Sequence, residues 1–508
     1  MNTERPVVVV GSGPSGATAA LALLEQGIPV TLLESGQSYE NGLVVRALGR
    51  NLFRKWARNT EQYPYVVSGD PETVWHNTLK VGGLSNFWTG AVPRFSPDDF
   101  TEGERLHERY RWPIEYSDLA PYYDYAEELL GVVGERRPIP QLSETGLLVQ
   151  ERKLPPAWRD LAARAERLGQ GLMYSPLADG PNFLVRRTGA AFNSFERIVR
   201  RLDRFAQFEL RLGAHVQRLN WNGALGRVDG VQYVDRQTGQ QHRLEASAVV
   251  LAAGPMASPK LLLQSRSPDF PTGLGNTSGV LGRYLHDHPK DWCVLLLDRP
   301  MPCLDQPLYV SRAPYSASPP LMGASMTIGP LSKWDRVFSL VGARTRRFGL
   351  VTFATMVPEE DNFVSLHREQ RDRFGDPVLD IHLQYGAEVA RIVSDTHQRL
   401  QQLLEDAGIH SELQCPLDHL APGWSAHYGG GARMHASPRF GVLNAWNRLH
   451  EVDNVAVVDA SSFTTGVEKN PTLTAMALAA RAAHRLASDL ESTTATMRQP
   501  VHAVSGAR

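Results

Sequence analysis

Short, mostly apolar runs occur along the chain, including both of its ends, and predict buried strands. Four such runs are Pro6–Val10, Ile28–Leu33, Ala248–Ala253 and Asn454–Asp459. Their valine-rich composition is typical of parallel strands that are covered on both faces. Ala17–Gln26, between the first two, is rich in alanine and leucine and predicts a helix. The pattern therefore predicts a βαβ unit at the start of the chain and a parallel sheet that takes strands from both ends.

The middle of the chain has a different pattern. Residues 290–385 alternate apolar and polar positions between many turns, which favours an antiparallel sheet. Phe208–Gln217 and Gly230–Val234 predict the strands of a hairpin or ribbon. Two long helical patterns follow, at Ala387–Ala407 and Thr472–Leu490. The polar residues 491–508 predict a disordered tail.

Composition and charge narrow the class of protein. The 508 residues include 53 basic and 54 acidic side chains, a net charge of −1, which argues against nucleic acid as a partner. No window reaches about 18 consecutive apolar residues, so we expect no membrane-spanning helix. The first residues lack the basic head and long apolar stretch of a signal peptide. We therefore expect a soluble, cytoplasmic protein.

The cysteine and histidine patterns predict no metal site. Cys293, Cys303 and Cys415 are too few for a disulfide framework, and none belongs to a CxxC pair. This usage suits a reducing compartment and argues against a structural zinc or iron–sulfur site. The sixteen histidines include no HExxH spacing.

The sharpest motif is the glycine-rich turn Gly11-Ser12-Gly13-Pro14-Ser15-Gly16, between the first strand and the first helix. Its three glycines permit the tight turn, the approach of a pyrophosphate and the close packing of the helix on the strand. Glu34 ends the second strand, 23 residues after Gly11, where a carboxylate binds a ribose hydroxyl. The small residues Ala253 and Gly254 end another buried strand and leave room for a dinucleotide. These residues alone leave NAD and FAD equally open.

Several further segments carry a resemblance to a known family. They are Gly82–Trp88, Gly282–Pro289, His427–Gly430, Asn454–Ser461 and Asn470–Ala477. Together with the glycine-rich turn, they resemble the glucose–methanol–choline (GMC) family of FAD-dependent alcohol oxidoreductases. The resemblance covers both ends of the chain and most of the flavin-binding parts.

Two segments point to one branch of that family. Trp112–Tyr123 and Phe374–Pro377 are most similar to pyranose oxidases and to sugar or glycoside dehydrogenases. In covalently flavinylated pyranose oxidases, a Ser-Thr-His-Trp segment supplies the histidine that bonds the flavin. Here that segment is Ser85-Asn86-Phe87-Trp88. Because phenylalanine cannot form the bond, the resemblance implies non-covalent FAD.

The resemblance also implies the catalytic residues. His427 corresponds to the family's flavin-facing histidine and Asn470 to its partner, 43 residues later. A histidine with the ordinary pKa of about 6.5 suits proton abstraction and predicts a pH dependence near neutrality. The loop departs from the family pattern at Tyr428, Gly431 and His435. We expect the remaining motif histidines to be structural: His286, His288 and His450.

The fold implied is α/β, with a GMC-type, Rossmann-like FAD-binding domain and an antiparallel-sheet substrate domain. Residues 1–130, 190–290 and 425–490 would form the first domain, and residues 131–189 and 291–424 the second. Cofactor contacts are expected at these positions: Gly11, Ser12, Gly13, Pro14, Ser15, Gly16, Glu34, Gly83, Ser85, Asn86, Val216, Ala253, Gly254, Asp459, Ala460, Asn470, Pro471 and Thr472.

The function implied is oxidation of an alcohol, on a sugar or glycoside, with hydride transfer to flavin N5. Oxygen, a quinone or a protein could then accept the electrons. Three alternatives stay open at this point: a GMC-type protein with a non-sugar alcohol or lyase chemistry, a pyridine-nucleotide-dependent flavoprotein or disulfide reductase, and an FAD-binding protein without turnover. The absence of a second GxGxxG and of a CxxC or CxxxxC pair disfavours the reductase.

Overall fold

We describe a computed structural model of the chain, covering residues 5–37, 61–137, 139, 141–178, 192–312, 322–339, 341–415 and 420–498. Within these ranges the strands are β1 Val7–Val10, β2 Val30–Glu34, β3 Tyr65–Val67, β4 Val132–Gly134, β5 Gln150–Glu151, β6 Leu172–Tyr174, β7 Leu177–Ala178, β8 Phe208–Leu212, β9 Ala214–Asn222, β10 Arg227–Asp235, β11 Gln241–Glu245, β12 Ala248–Leu251, β13 Lys290–Pro302, β14 Leu308–Val310, β15 Ala324–Gly329, β16 Arg344–Ala354, β17 Phe363–Arg371, β18 Pro377–His382, β19 Ser411–Gln414 and β20 Val455–Val457. The α-helices are α1 Pro14–Glu25, α2 Pro97–Thr101, α3 Tyr116–Leu130, α4 Pro156–Arg167, α5 Ser194–Arg197, α6 Ala257–Gln264, α7 Lys333–Ser339, α8 Glu388–Asp406 and α9 Thr472–Arg498.

A five-stranded parallel sheet lies at the centre of the largest hydrophobic core. Its order is β20-β12-β1-β2-β8, so strands from both ends of the chain lie side by side, as predicted. All four residues of β1 and of β12 are buried. Helix α1 packs against α9, the last helix of the chain. Because the carboxyl ends of parallel strands meet at one edge, the turns after β1, β2, β12 and β20 gather there.

One strand predicted from the sequence is two strands in the structure. The run Phe208–Gln217 is interrupted at Gly213, whose φ of +71° is in the left-handed region that glycine adopts without steric cost. β8, before this glycine, joins the parallel sheet, and β9, after it, pairs with β10 in a separate antiparallel sheet. The alternation of side chains could not reveal that the two halves belong to different sheets.

A second, six-stranded sheet has the order β19-β13-β16-β15-β14-β6, and all its pairs are antiparallel. Helices α4 and α8 cover one face through apolar residues such as Trp158 and Leu400. The predicted antiparallel sheet between residues 290 and 385 is therefore confirmed. Its partner strands β6 and β19 come from outside that range.

The chain passes repeatedly between these regions. The strands of the parallel sheet fall in 1–130, 190–290 and 425–490, the ranges predicted for the cofactor domain. However, β3 pairs with β18, so the early chain also contributes a strand to a sheet of the predicted substrate region. Helix α9 continues to Arg498, beyond the predicted start of a disordered tail at residue 491. Residues 499–508 lie outside the described part.

Two of the three cysteines form a covalent pair, which corrects the expectation of reduced cysteines. Cys293, in β13, is disulfide-bonded to Cys415, directly after β19, and Cys303 is a buried free thiol. The pairing of Val294 with Gln414 in the antiparallel register puts the two cysteines opposite one another. Among the described helices, none is long and apolar enough to cross a membrane. The cytoplasmic location remains a prediction.

Candidate active site

The glycine-rich turn after β1 has the geometry of a phosphate-binding turn. Gly11 has a φ of +103°, and a Cβ there would lie 2.5 Å from the carbonyl oxygen of Ala252. A Cβ on Gly16 would lie 2.0 Å from the carbonyl oxygen of Gly11, so helix and strand can pack this closely only with glycine. A Cβ on Gly13 would meet no heavy atom within 4 Å. Gly13 therefore faces open space at the start of α1, where Pro14 occupies the first turn.

Ser12 connects this turn with Glu34 at the end of β2. The Ser12 amide and hydroxyl donate to Glu34 Oε2 at 2.9 and 2.5 Å, and the Gly36 amide donates to Oε1 at 2.6 Å. Burial raises the pKa of Glu34, although these hydrogen bonds oppose the shift. Glu34 thus connects the turn after β1 with the chain after β2, at the sheet edge where a ribose would lie.

A second turn, at Gly83–Asn86, packs against the first. The Gly82 amide donates to Ser12 Oγ at 2.8 Å, and a Cβ on Gly83 would lie 3.8 Å from Gly13 Cα. Ser85 Oγ donates to the Gly82 carbonyl at 2.6 Å, and Asn86 Nδ2 donates to the Val81 carbonyl at 2.9 Å. Ser85 and Asn86 therefore shape this turn through hydrogen bonds to its own backbone.

Asp459 joins the ends of β12 and β20. Its Oδ2 accepts from the Gly254 amide at 3.0 Å and from Ser258 Oγ at 2.5 Å, while Oδ1 accepts from the Ser461 amide at 2.9 Å. A Cβ on Gly254 would meet no heavy atom within 4 Å. Like Gly13, Gly254 therefore leaves open space beside the backbone.

These features fit a bound dinucleotide. Gly13 and Gly254 leave backbone surface open beside a helix N-terminus and two buried carboxylates, which suits a pyrophosphate and hydroxyl groups. Phe87, directly after the second turn, offers no atom that could bond to a flavin. The Glu34 carboxylate already accepts hydrogen bonds from Ser12 and Gly36. A ribose hydroxyl would therefore have to donate to the carboxylate lone pairs that these bonds do not use.

The structure brings the two predicted catalytic residues together. Asn470 Nδ2 is 3.0 Å from His427 Nε2, although the residues are 43 positions apart. On the other side of the ring, His427 Nδ1 is 3.1 Å from Nδ1 of His288. Both nitrogens of the half-buried His427 thus have polar neighbours. His288, which we expected to be structural, touches the candidate base directly.

The loop that carries His427 is held by the buried Asp287. This carboxylate accepts from the amides of His427, at 3.2 Å, and Gly423, at 2.8 Å. Ser425 Oγ and Tyr385 OH also donate to it. Asp287 thereby determines where the His427 backbone lies, and it directly precedes His288 in the sequence.

The environment of His427 favours its neutral form. Burial lowers the pKa of His427 well below its ordinary value, and the charges of His288 and Lys290 act in the same direction. Burial likewise lowers the pKa of His288 to about 3. The Phe353 ring lies 5.0 Å from the His427 ring, and Lys290 Nζ is 5.9 Å from the same phenyl ring. The lowered pKa corrects the expectation of a group that titrates near neutrality, because the sequence could not reveal this burial.

Of the other residues named in the sequence analysis, some lie next to the cofactor turns or Asn470 and others lie apart from them. Ala460 begins the short helical turn after β20, and Pro471 and Thr472 connect Asn470 to the start of α9. The side chain of Val216, in β9, belongs to the main hydrophobic core. His435 lies apart from His427, with its Nε2 3.0 Å from the Glu108 carbonyl oxygen.

Sequence reasoning did not place several groups that support the site in contact with it, and it expected one of them, His288, to be structural. His288 is 139 residues from His427, and Ser194, whose hydroxyl donates to the Ser12 carbonyl at 2.8 Å, is 182 residues from Ser12. Lys469, directly before Asn470, is fully buried between Asp99 and Glu468. The Asp287-His288 pair was visible as a motif, and a lysine beside a candidate catalytic residue was also visible. Their contacts were not.

Comparison with known proteins agrees with this site. Residues 6–337 match the family described as FAD dependent oxidoreductase, and residues 358–479 match the family described as GMC oxidoreductase. The chain is 30% identical to 6'''-hydroxyparomomycin C oxidase of Streptomyces lividus, over 95% of this chain and 91% of that protein.

Two further similarities extend the comparison. The chain is 27% identical to 2-methyl-1,2-propanediol dehydrogenase of Mycolicibacterium austroafricanum, over 94% of each protein. The solved structure of pyridoxine 4-oxidase from Mesorbium loti superposes with a TM-score of 0.65 at 18% identity, covering 96% of this chain and 99% of that one, and so shares the fold. The predicted fold class and FAD cofactor are confirmed. This chain belongs to the glucose–methanol–choline family of FAD-dependent oxidoreductases, enzymes that act on alcohol CH–OH groups.

Proposed function

We propose that this enzyme oxidises a hydroxyl-bearing carbon of a sugar or glycoside, with His427 as the catalytic base. The observation that carries the proposal is the contact of His427 Nε2 with Asn470 and of Nδ1 with His288. A base must present a lone pair to the substrate hydroxyl, and these contacts determine which ring nitrogen can do so.

The contacts imply one arrangement of protons. An asparagine Nδ2 can only donate, so His427 Nε2 accepts and carries the lone pair. Neutral His427 then holds its proton on Nδ1 and donates it to Nδ1 of His288. His288 in turn carries its own proton on Nε2. The lone pair that would take the substrate proton is therefore on the nitrogen that Asn470 also contacts.

The roles of the residues follow from this arrangement. The substrate hydroxyl would donate its proton to His427 Nε2, while Asn470 Nδ2 turns to donate to the same substrate oxygen. His288 would keep the imidazolium oriented by accepting from Nδ1 throughout. FAD, when bound, would supply the redox chemistry by accepting the hydride from the carbon at its N5.

The residues that would hold FAD are on the edge of the parallel sheet. The amides of the turn at Gly11–Gly16 would bind the pyrophosphate, and Glu34 would lie at a ribose. Asp459 would hold the Gly254 turn against the cofactor. We propose that binding is non-covalent, because Phe87 stands where a linking histidine would be needed.

The sugar class is supported by the comparisons. Two relatives, 26% and 25% identical, are named C-glycoside 3-oxidase, and the branch motifs of this chain are similar to those of sugar oxidoreductases. The relative named for 2-methyl-1,2-propanediol makes a small diol the second candidate substrate.

The test is anaerobic mixing of the FAD-loaded enzyme with a panel of sugars, glycosides and small diols. We expect sugars or glycosides to bleach the visible flavin absorption faster than small diols do. Bleaching only by diols would contradict the sugar proposal, and no bleaching by any alcohol would support a protein that binds FAD without turnover. Repeating the active substrates with oxygen and with a quinone identifies the electron acceptor.

A further inference from the structure

A cluster of reactive side chains, separate from the candidate active site, lies on the face of the six-stranded antiparallel sheet that points away from His427. Asp291 and Cys293 of β13, His397 of α8 and Cys415 after β19 present ligand atoms that all lie within 4.8 Å of one another. Two sulfurs, an imidazole nitrogen and a carboxylate oxygen form one of the ligand sets that Zn²⁺ prefers. None of these residues takes part in the proposed alcohol oxidation.

The disulfide leaves one carboxylate oxygen of Asp291, Oδ2, facing a sulfur that cannot donate to it. Asp291 Oδ1 accepts from the Trp292 amide at 2.8 Å, but Oδ2 faces Cys293 Sγ at 3.2 Å. A sulfur in a disulfide has no hydrogen to donate, so this contact can be a hydrogen bond only in the thiol form. His397 Nε2 is 3.6 Å from Oδ2, which is beyond hydrogen-bond distance. A carboxylate that is only 9% exposed therefore points at two sulfurs and an imidazole.

The elements that carry these residues hold them in place. Asp291 and Cys293 are two positions apart in β13, so both side chains point to the face that α8 covers. His397 lies on the same stripe of α8 as the buried Val393 and Leu400. A histidine on an otherwise apolar, sheet-facing stripe is thus directed at the cysteine pair.

We propose that Asp291, Cys293, His397 and Cys415 bind one Zn²⁺ when the disulfide is reduced. A dithiol reductant transfers two electrons and two protons to the disulfide, which becomes two thiols as the reductant forms its own disulfide. Zn²⁺ then replaces the two thiol protons, which are released to solvent. The separated sulfurs would be about 3.8 Å apart in a tetrahedral site with Zn–S bonds of about 2.3 Å, close to the contact distance of two thiols.

One existing contact competes with the metal. The Thr352 hydroxyl is 2.9 Å from His397 Nε2, the nitrogen that would coordinate zinc. Thr352 pairs with Asp291 across the β13–β16 register and points to the same face. Its hydroxyl must turn away when His397 binds the metal, so removing this hydroxyl should not weaken binding.

The site is separate from the candidate active site. Lys290 and Phe353, a cross-strand pair, point to the opposite face of the sheet, where the Phe353 ring lies 5.0 Å from His427. Zinc content is therefore a readout that does not depend on alcohol oxidation, and either proposal can fail without the other.

The experiment loads the full-length FAD enzyme, reduced with a dithiol and then freed of it, with Zn²⁺ or Co²⁺. We expect one metal ion per chain and the absorption bands of tetrahedral cobalt thiolate. Cys293→Ser should abolish both. His397→Ala keeps both cysteines, so it can be purified with the disulfide formed. It should weaken zinc binding by more than about 100-fold, because substituting even a residue that only hydrogen-bonds to a metal ligand costs about 10- to 100-fold in affinity.

Two matched variants serve as controls. Cys303→Ser removes the buried free thiol outside the cluster and should bind zinc as the unmodified protein does. Thr352→Val should bind zinc at least as tightly. Failure of the reduced protein to take up one zinc, or zinc binding that survives both Cys293→Ser and His397→Ala, would overturn the proposal.

Discussion

At the scale of single residues, the properties of His427 come from its neighbours. Burial and the nearby Lys290 disfavour a charged imidazole, so the ring is neutral and able to accept a proton at neutral pH. Asn470 and His288 orient the ring from its two nitrogens. A histidine in such surroundings suits proton abstraction, because its lone pair is present and directed.

We predict that His427→Ala keeps FAD and slows flavin reduction by about 10²–10⁴-fold, the range for loss of a positioned general base. Asn470→Ala should slow it less, because the amide only orients the oxygen. Anaerobic stopped-flow reduction measures both rates without involving the electron acceptor. His435→Ala, a histidine outside the contact, is the control and should reduce at the normal rate.

The pH dependence of that reduction has a definite sign. The base acts when deprotonated, so the rate rises with pH through the pKa of His427 and is then constant. Because burial lowers that pKa, the rise should lie well below pH 6.5 and be absent from the His427→Ala variant. A rise centred at or above neutrality would mean that another group is titrating.

Glu34 gives a prediction about affinity. Glu34→Ala should weaken FAD binding by about 10- to 150-fold, the value of a lost charged hydrogen bond of about 1.5–3 kcal/mol. Part of this effect is indirect, because Glu34 also holds Ser12 and Gly36 in place. Titration of the cofactor-free protein with FAD, followed by flavin fluorescence, measures the affinity. An unchanged dissociation constant would remove Glu34 from the site.

At the scale of elements, a buried charge network fixes the segment that leads into α9. Lys469 Nζ lies 2.8 Å from Asp99 Oδ2 and 2.8 Å from Glu468 Oε1, and all three side chains are at most 1% exposed. Ser325, in β15 of the antiparallel sheet, donates to the Glu468 carbonyl at 3.1 Å. Asn470 follows directly, so its position depends on contacts from three separate parts of the chain.

We predict that Lys469→Met destabilises the protein by about 3–5 kcal/mol, because it removes the cation beside the buried Asp99 and leaves Glu468 only the more distant Arg312, at 3.8 Å. Denaturant unfolding of the FAD-bound enzyme gives the free energy. Arg111→Met is the matched control: its ion pair with Glu104 is solvent-exposed and should be worth less than about 1 kcal/mol. Equal losses of unfolding free energy in the two variants would show that the buried network stabilises the protein no more than an exposed ion pair does.

At the scale of the whole molecule, the site is assembled from distant parts of an interleaved chain. The turns after β1, β2 and β12 meet β20 and α9 at one edge of the parallel sheet. The antiparallel sheet adds Phe353, whose ring lies beside that of His427, and Lys290, which lies beside Phe353. Cofactor binding should therefore depend on the folded chain as a whole.

We predict that unfolding releases all of the FAD. The folded enzyme should be yellow, and acid precipitation should leave the flavin in the supernatant, because Phe87 replaces a linking histidine. Absorbance of supernatant and pellet measures the partition. Flavin that remains with the precipitated protein would mean that another side chain forms a covalent link.

The βαβ unit, its glycine-rich turn and the family could all be predicted from the amino-acid sequence. These features are local: Gly11 is required by its positive φ and Gly16 by its close approach to the Gly11 carbonyl, and the apolar runs report burial on both faces. The pairing of His427 with Asn470 was also predictable, but only through the resemblance, since no spacing rule joins residues 43 positions apart.

The contacts between side chains that are distant in the sequence became visible only in the folded molecule. The β13–β19 register places Cys293 opposite Cys415, 122 residues away, and overturned the expectation of reduced cysteines. The turn at Gly213 divides one apparent strand between two sheets, and the backbone bridge between His286 and Gly429 brings His288 to His427. The physical reason is that hydrophobic periodicity specifies which face of an element is buried. Register and packing, which depend on the whole core, specify what that face touches.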